Sequence, residues 1–152
     1  MTDSKSEIID ILKKYEKRRE NLLPILQHIN RLWNYLSEES MREIARYLNL
    51  STAEVYGVAT FYSFVDTKKM GSHVIRICKT ISCDMKDKDR IIETIEKKLR
   101  IKIGETTPDN KFTFLTTNCI GWCHKSPAMI INDKVYTELT PSSASAAIDE
   151  WL

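Results

Sequence analysis

Apolar positions in the first part of the chain recur every three or four residues, whereas later ones alternate or come in short runs. Ile8, Ile9, Leu12 and Tyr15 mark one face of an opening helix. A second helical run starts around Pro24, which is tolerated in a first turn, and turns Ile25, Ile29, Leu32, Trp33 and Leu36 inward. Ser37 suits the cap of a third helix bearing Met41, Ile44, Ala45 and Leu48. Ser51 followed by Glu54 reads as a capping box that opens a fourth, through Val55, Ala59, Phe61 and Tyr62. Four short helices with brief connections make a small helical layer.

The grammar changes after the polar stretch at residues 67–72, where Gly71 reads as part of a hinge between layers. Residues 73–77 (HVIRI) predict a strand ending at Cys78, and Ile91, Ile92, Ile95 and Leu99 predict a helix over 87–99. Residues 111–115 (KFTFL) alternate as a strand does, after the turn signal at 108–110. Two short strands flank Asn132 and Asp133, a two-residue hairpin turn. Thr140 caps a closing helix whose apolar face is Ala144, Ala147, Ile148 and Trp151. The expectation is an α+β chain, with a helical bundle over residues 1–70 and a sheet-and-helix domain over 71–152.

Composition narrows the function. A chain of 152 residues that is 42% hydrophobic can bury a core without a metal to compensate for small size. Its 23 basic and 21 acidic residues are interspersed, leaving a formal charge of +2, which gives a nucleic-acid partner little support. The alternating charges of residues 86–98 read as a solvated helix face. The N-terminus has no continuous apolar h-region and no stretch approaches the length of a membrane span, so a cytoplasmic location without direct membrane insertion is expected.

In a reducing compartment the four cysteines carry the chemistry. Cys78 and Cys83 form one close pair, Cys119 and Cys123 another, with 35 residues between them. Two loops that follow strands thus offer four thiolates to one metal centre. A 2Fe-2S core takes two cysteines on each iron, which suits two separated pairs. A structural zinc site, a dithiol that cycles through a disulfide, and coincidental buried thiols are the alternatives. Zinc knuckles usually use other spacings than that of Cys119 and Cys123, and neither pair has the two-residue spacing of thioredoxin-like exchange. Lys79, His124 and Lys125 stand where they can offset the cluster's negative charge, and Gly121 permits a tight loop whose amide can reach sulfur.

Three segments resemble one known family: YGVATFYSFV at residues 56–65, the strand running into CKTISC at 78–83, and NCIGWCHKSPAMIINDKVYTELT at 118–140. The chain resembles the thioredoxin-like 2Fe-2S ferredoxins, represented by the NuoE or 24 kDa subunit of respiratory complex I and by its relatives in NAD-linked hydrogenases and formate dehydrogenases. The resemblance extends over nearly the whole chain, Leu23, Pro24 and the helical layer included. It implies a thioredoxin-like domain behind a helical bundle, with Cys78 and Cys83 on one iron and Cys119 and Cys123 on the other. It further implies an electron-transfer role beside a NuoF-like flavoprotein that holds FMN and binds NAD(P)(H), and beside a further iron-sulfur catalytic subunit. No catalytic residue is expected in this chain, which has neither a GxGxxG nor a Walker motif of its own. Trp122, His124 and Ser126 depart from the residues usual in the family, and none of them removes a thiolate.

Outside the cysteines, the aromatic residues of 56–65 are expected to pack internally, with partner contact as the other reading. His28 and His73 read as packing or surface residues. His124 is a candidate proton-coupled neighbour of the cluster, with a solvent-facing position as the alternative.

Overall fold

Short amphipathic segments with strong caps build the first half of the chain. The computed structural model describes residues 5–152; residues 1–4, the start of the expected bundle, lie outside the described residues. Contacts divide the chain into two compact units between Lys69 and Met70.

The first unit holds α1 (Lys5–Leu12), α2 (Leu22–Trp33), α3 (Glu38–Leu48) and α4 (Thr52–Phe61). Ser37 caps α3 by accepting the Ser40 N–H, and Met41, Ile44, Ala45 and Leu48 are all buried as their spacing predicts. The face of α1 differs from the expected one: Ile8, Ile11 and Leu12, spaced i, i+3, i+4, are buried while Ile9 is exposed, and Tyr15 packs against the same core from beyond the helix end. On α2, Leu22 and Leu26 join Ile25 and Ile29 in the core, and Leu32 turns to solvent. Ser51 caps α4 by accepting the Glu54 N–H, but Glu54 pairs with Arg19 at 2.6 Å, so the reciprocal half of the box is absent.

The clearest correction concerns the aromatic segment. Val55, Ala59 and Val65 are buried, yet Tyr56, Phe61, Tyr62 and Phe64 are exposed, Phe61 by 80%. Small and β-branched side chains fill the bundle around α4, leaving the rings outside.

In the second unit a mixed four-stranded sheet has the order β2-β1-β3-β4. Its strands are β1 (His73–Cys78), β2 (Phe112–Thr117), β3 (Met129–Ile131) and β4 (Lys134–Tyr136). β1 and β2 run parallel, β1 and β3 antiparallel, and the Asn132 turn closes the β3–β4 hairpin. The helices are α5 (Ile81–Asp84), α6 (Lys88–Leu99) and α7 (Pro141–Asp149). Ile91 and Ile95 of α6 and Ala144, Ala147 and Ile148 of α7 cover one sheet face, packing on Ile75, Ile77, Phe112 and Phe114. Thr140 and Ser143 complete a capping box at α7. Helices and a mixed sheet together give the expected α+β class.

The division between the two units falls within the expected polar stretch, and Gly71 just after it is a point of close backbone approach. It is buried, its N–H donates to Thr113 Oγ1 at 2.6 Å, and a Cβ here would lie 2.8 Å from the Phe112 carbonyl carbon. Gly71→Ala is expected to cost about 1–3 kcal/mol, because backbone must shift to admit the methyl. Thermal unfolding checks this; an unchanged midpoint would return Gly71 to a flexible role.

Candidate metal centre

The parallel pairing of β1 and β2 brings two strand ends side by side, and the cysteines leave from those ends. Cys78 is the last residue of β1 and pairs in register with Thr117, the last of β2; Cys119 follows two residues on. Cys83 lies in α5, a short helix that the apolar pattern did not predict, and Cys123 opens a single turn of 3-10 helix. Cys78 therefore sits within a strand instead of a loop after one.

Backbone bonds tie the two segments together. The Cys78 N–H donates to the Ala128 carbonyl at 3.1 Å and the Lys79 N–H to the Thr117 carbonyl at 2.9 Å. Lys86 Nζ reaches the Ser126 carbonyl at 3.3 Å. Gly121 has φ +88, in the region that favours glycine, and its N–H points to Cys119 Sγ at 3.4 Å. The amide expected near sulfur is thus there.

All four thiols are free, and they differ in exposure: Cys78 and Cys83 are buried, Cys119 and Cys123 exposed. The sulfurs of Cys119 and Cys123 lie 3.2 Å apart, and the thiols of Cys78 and Cys83 share a hydrogen bond. Two thiolates on one tetrahedral metal with bonds of about 2.3 Å stand about 3.8 Å apart, so each pair needs little movement to chelate. Among the described residues no three His, Cys, Asp or Glu side chains converge on a single ion position. The thiols are set out as two pairs.

Hydrogen bonds divide the thiols by acidity. Burial pushes the Cys78 thiol up, but donors from the Thr80 side chain and backbone, from Cys83 and from the Ile120 backbone outweigh it, leaving Cys78 more acidic than an ordinary cysteine. Thr80 Oγ1 is 3.0 Å from its sulfur. Burial holds the Cys83 thiol above the usual range despite the Ala128 amide, and the hydrogen bond with Cys119 does the same to Cys123. Within the buried pair Cys78 is therefore the more acidic thiol and Cys83 the less acidic.

Lys79, His124 and Lys125 are exposed beside these loops, and the Trp122 and His124 rings stack at 5.6 Å. His28 and His73 are packing residues: His28 bonds Tyr15, and His73 lies against Phe112 and Trp151. Thr117 escaped the sequence reading. It is 4% exposed, and its Oγ1 is buried without a hydrogen-bond partner. An unpartnered hydroxyl in register with Cys78 suits a site that receives a sulfur acceptor, and the donor set, all sulfur in two close pairs, fits a 2Fe-2S cluster. No helix among the described residues is long and apolar enough to cross a membrane.

Comparison with known proteins places the chain among relatives of one kind. The chain is 34% identical over 147 residues to a subunit of the NADH-quinone oxidoreductase of Buchnera aphidicola subsp. Baizongia pistaciae, covering 97% of this chain and 86% of that one. It is 28% identical over 145 residues to the NADP-reducing hydrogenase subunit HndA of Solidesulfovibrio fructosivorans, covering 95% and 85%. A solved NAD+-reducing [NiFe]-hydrogenase shares the fold with a TM-score of 0.76 at 20% identity, over 89% of this chain and 23% of that one. The family model described as "Thioredoxin-like [2Fe-2S] ferredoxin" matches residues 8–152, so the chain belongs to that family, whose cofactor is one 2Fe-2S cluster.

Proposed function

We propose that this chain is the electron-transfer subunit of a multisubunit NAD(P)-linked oxidoreductase, with Cys78 and Cys83 on one iron and Cys119 and Cys123 on the other. The observation that carries this is the convergence of two chelating pairs of free thiols at adjacent strand ends, in a chain of this family. The cluster supplies reversible one-electron transfer when bound. The chain's own residues do the rest. Cys78 and Cys83 anchor the buried side; Cys119 and Cys123 hold the side open to solvent, where a partner can approach. The amides of Ile120, Gly121 and Ala128 donate to sulfur and stabilise negative charge on it.

The partner is a NuoF-like subunit that holds FMN and binds NAD(P)(H), with a further iron-sulfur catalytic subunit beyond it. Relatives named as subunits of an NADH-quinone oxidoreductase and an NADP-reducing hydrogenase support this. Exposed Tyr56, Phe61, Tyr62 and Phe64 also have the composition of a protein interface core. Four cysteine ligands leave the cluster no open position, so the isolated chain passes electrons without making bonds. Separate apolar cores below residue 66 and above residue 74 support domains at 1–70 and 71–152. The working location is the cytoplasm, or the cytoplasmic side of a membrane complex.

The test is EPR of anaerobically purified, dithionite-reduced protein, with iron, sulfide and zinc counted on the same sample. A rhombic spin-half signal with about two irons and two sulfides per chain is expected. A silent sample with one zinc and no sulfide would replace the carrier with a structural zinc module.

A further inference from the structure

We propose that Thr117 donates its hydroxyl to a sulfur of the cluster and thereby raises the cluster's reduction potential. The inference rests on the four-cysteine centre proposed above.

Register decides where the hydroxyl points. Paired residues of neighbouring strands share a sheet face, so Thr117 lies on the same face as Cys78. Ile75 and Ile77 turn to the opposite face, into the core against α6 and α7, which leaves Cys78 and Thr117 on the other side. The backbone of Thr117 is held there by the Lys79 N–H at 2.9 Å. Two residues on comes Cys119, so Thr117 neighbours a ligand of one pair across the ladder and a ligand of the other along the chain.

The hydroxyl's isolation is specific to its place. Thr113, on the same face of the same strand, is also buried, yet its oxygen accepts the Gly71 N–H and bonds Thr106 at 2.8 Å. Thr117 Oγ1 has no such partner. Buried hydroxyls are almost always satisfied, and those left over point to a group the protein is built to hold. Here the adjoining chemistry is thiolate and sulfide, both acceptors. Reduction adds negative charge to the cluster, so a donor to its sulfur stabilises the reduced form more than the oxidised one.

The experiment is an EPR-monitored redox titration of iron-loaded full-length Thr117→Val and Thr117→Ser, beside the unaltered chain. Valine keeps the shape and deletes the donor. The oxidised-to-reduced ratio at a fixed poise should rise about tenfold, equivalent to a potential lower by about 59 mV for one electron. Serine should restore the original value. Resonance Raman spectra supply a second readout: the iron–sulfur bands should shift on transfer to D2O by less in the valine form. Thr117→Ala serves the same comparison should the valine form not load iron. A ratio that changes less than twofold, or a serine form that behaves like valine, overturns the role of Thr117. The iron and sulfide counts and the EPR signal of the unaltered chain test the centre itself, so the two failures are distinguishable.

Discussion

Cys78→Ser is expected to empty the metal centre, taking iron from about two per chain to below about 0.2 while the helical unit stays folded. Among the four thiols Cys78 is the most committed by its surroundings. It is buried, it ends β1, an interior strand of the sheet, and its surroundings favour the thiolate where those of Cys83 and Cys123 oppose it. A serine hydroxyl there would have to ionise far above neutral pH before it could match a thiolate, and the donors from Thr80 and Ile120 would surround a weak ligand. The same substitution at exposed Cys119 should be milder, since solvent can reach the vacated position. Loading also competes with protons. Burial holds Cys83 above the usual thiol range and Cys119 does the same to Cys123, so both must lose protons on binding metal. Reconstitution should therefore slow as pH falls, with Cys78 contributing to lower pH than Cys83 or Cys123. Iron and sulfide assays with far-UV circular dichroism check the prediction; full iron content in Cys78→Ser would remove it from the ligand set.

Local signals in the sequence foretold local structure. The Ser37 and Thr140 caps, the strand ending at Cys78, the Asn132 turn and the faces of α3 and α7 all depend on residues a few positions apart. Ile11 was legible, since Ile8, Ile11 and Leu12 follow the i, i+3, i+4 spacing that Ile9 breaks, and the burial follows that spacing. What depends on distant partners was not legible. Gly71 looks like any glycine of a polar stretch until β2 is laid 2.8 Å from where its side chain would be. The aromatics of 56–65 carry the same apolar signal whether they face a core or a partner. The four cysteines were visible from spacing, but Thr117 was not. A threonine at a strand end is ordinary, and it becomes notable only through a parallel register that joins positions 39 residues apart. The resemblance could not supply it either, since Thr117 lies just outside the segments that carry it.

Phe114→Ala is expected to remove about 3–5 kcal/mol from the second unit, the largest loss of stability from a single truncation at this sheet. Phe114 is fully buried at the middle of β2, opposite Ile75, with α6 and α7 closing over it. Its backbone is doubly engaged: its carbonyl accepts the Gly104 N–H at 2.7 Å, and its N–H donates to the Glu105 carbonyl at 3.0 Å. The strand will therefore not slide to fill the void, and the cavity term adds to the lost transfer energy. At about 4–8 °C per kcal/mol for a unit of this size, the midpoint should fall by more than about 10 °C. The loss reaches function through the strand ends, because the β1–β2 ladder that Phe114 supports is what sets Cys78 and Cys119 side by side. Cluster bound only to the folded unit stabilises it by mass action, and a truncation that disturbs the strand ends weakens that binding, so the drop should be larger with iron than without it. Calorimetry of both forms checks this. With separate domains at 1–70 and 71–152, one transition moves and the helical one stays; two transitions that move together would instead make the chain a single cooperative body.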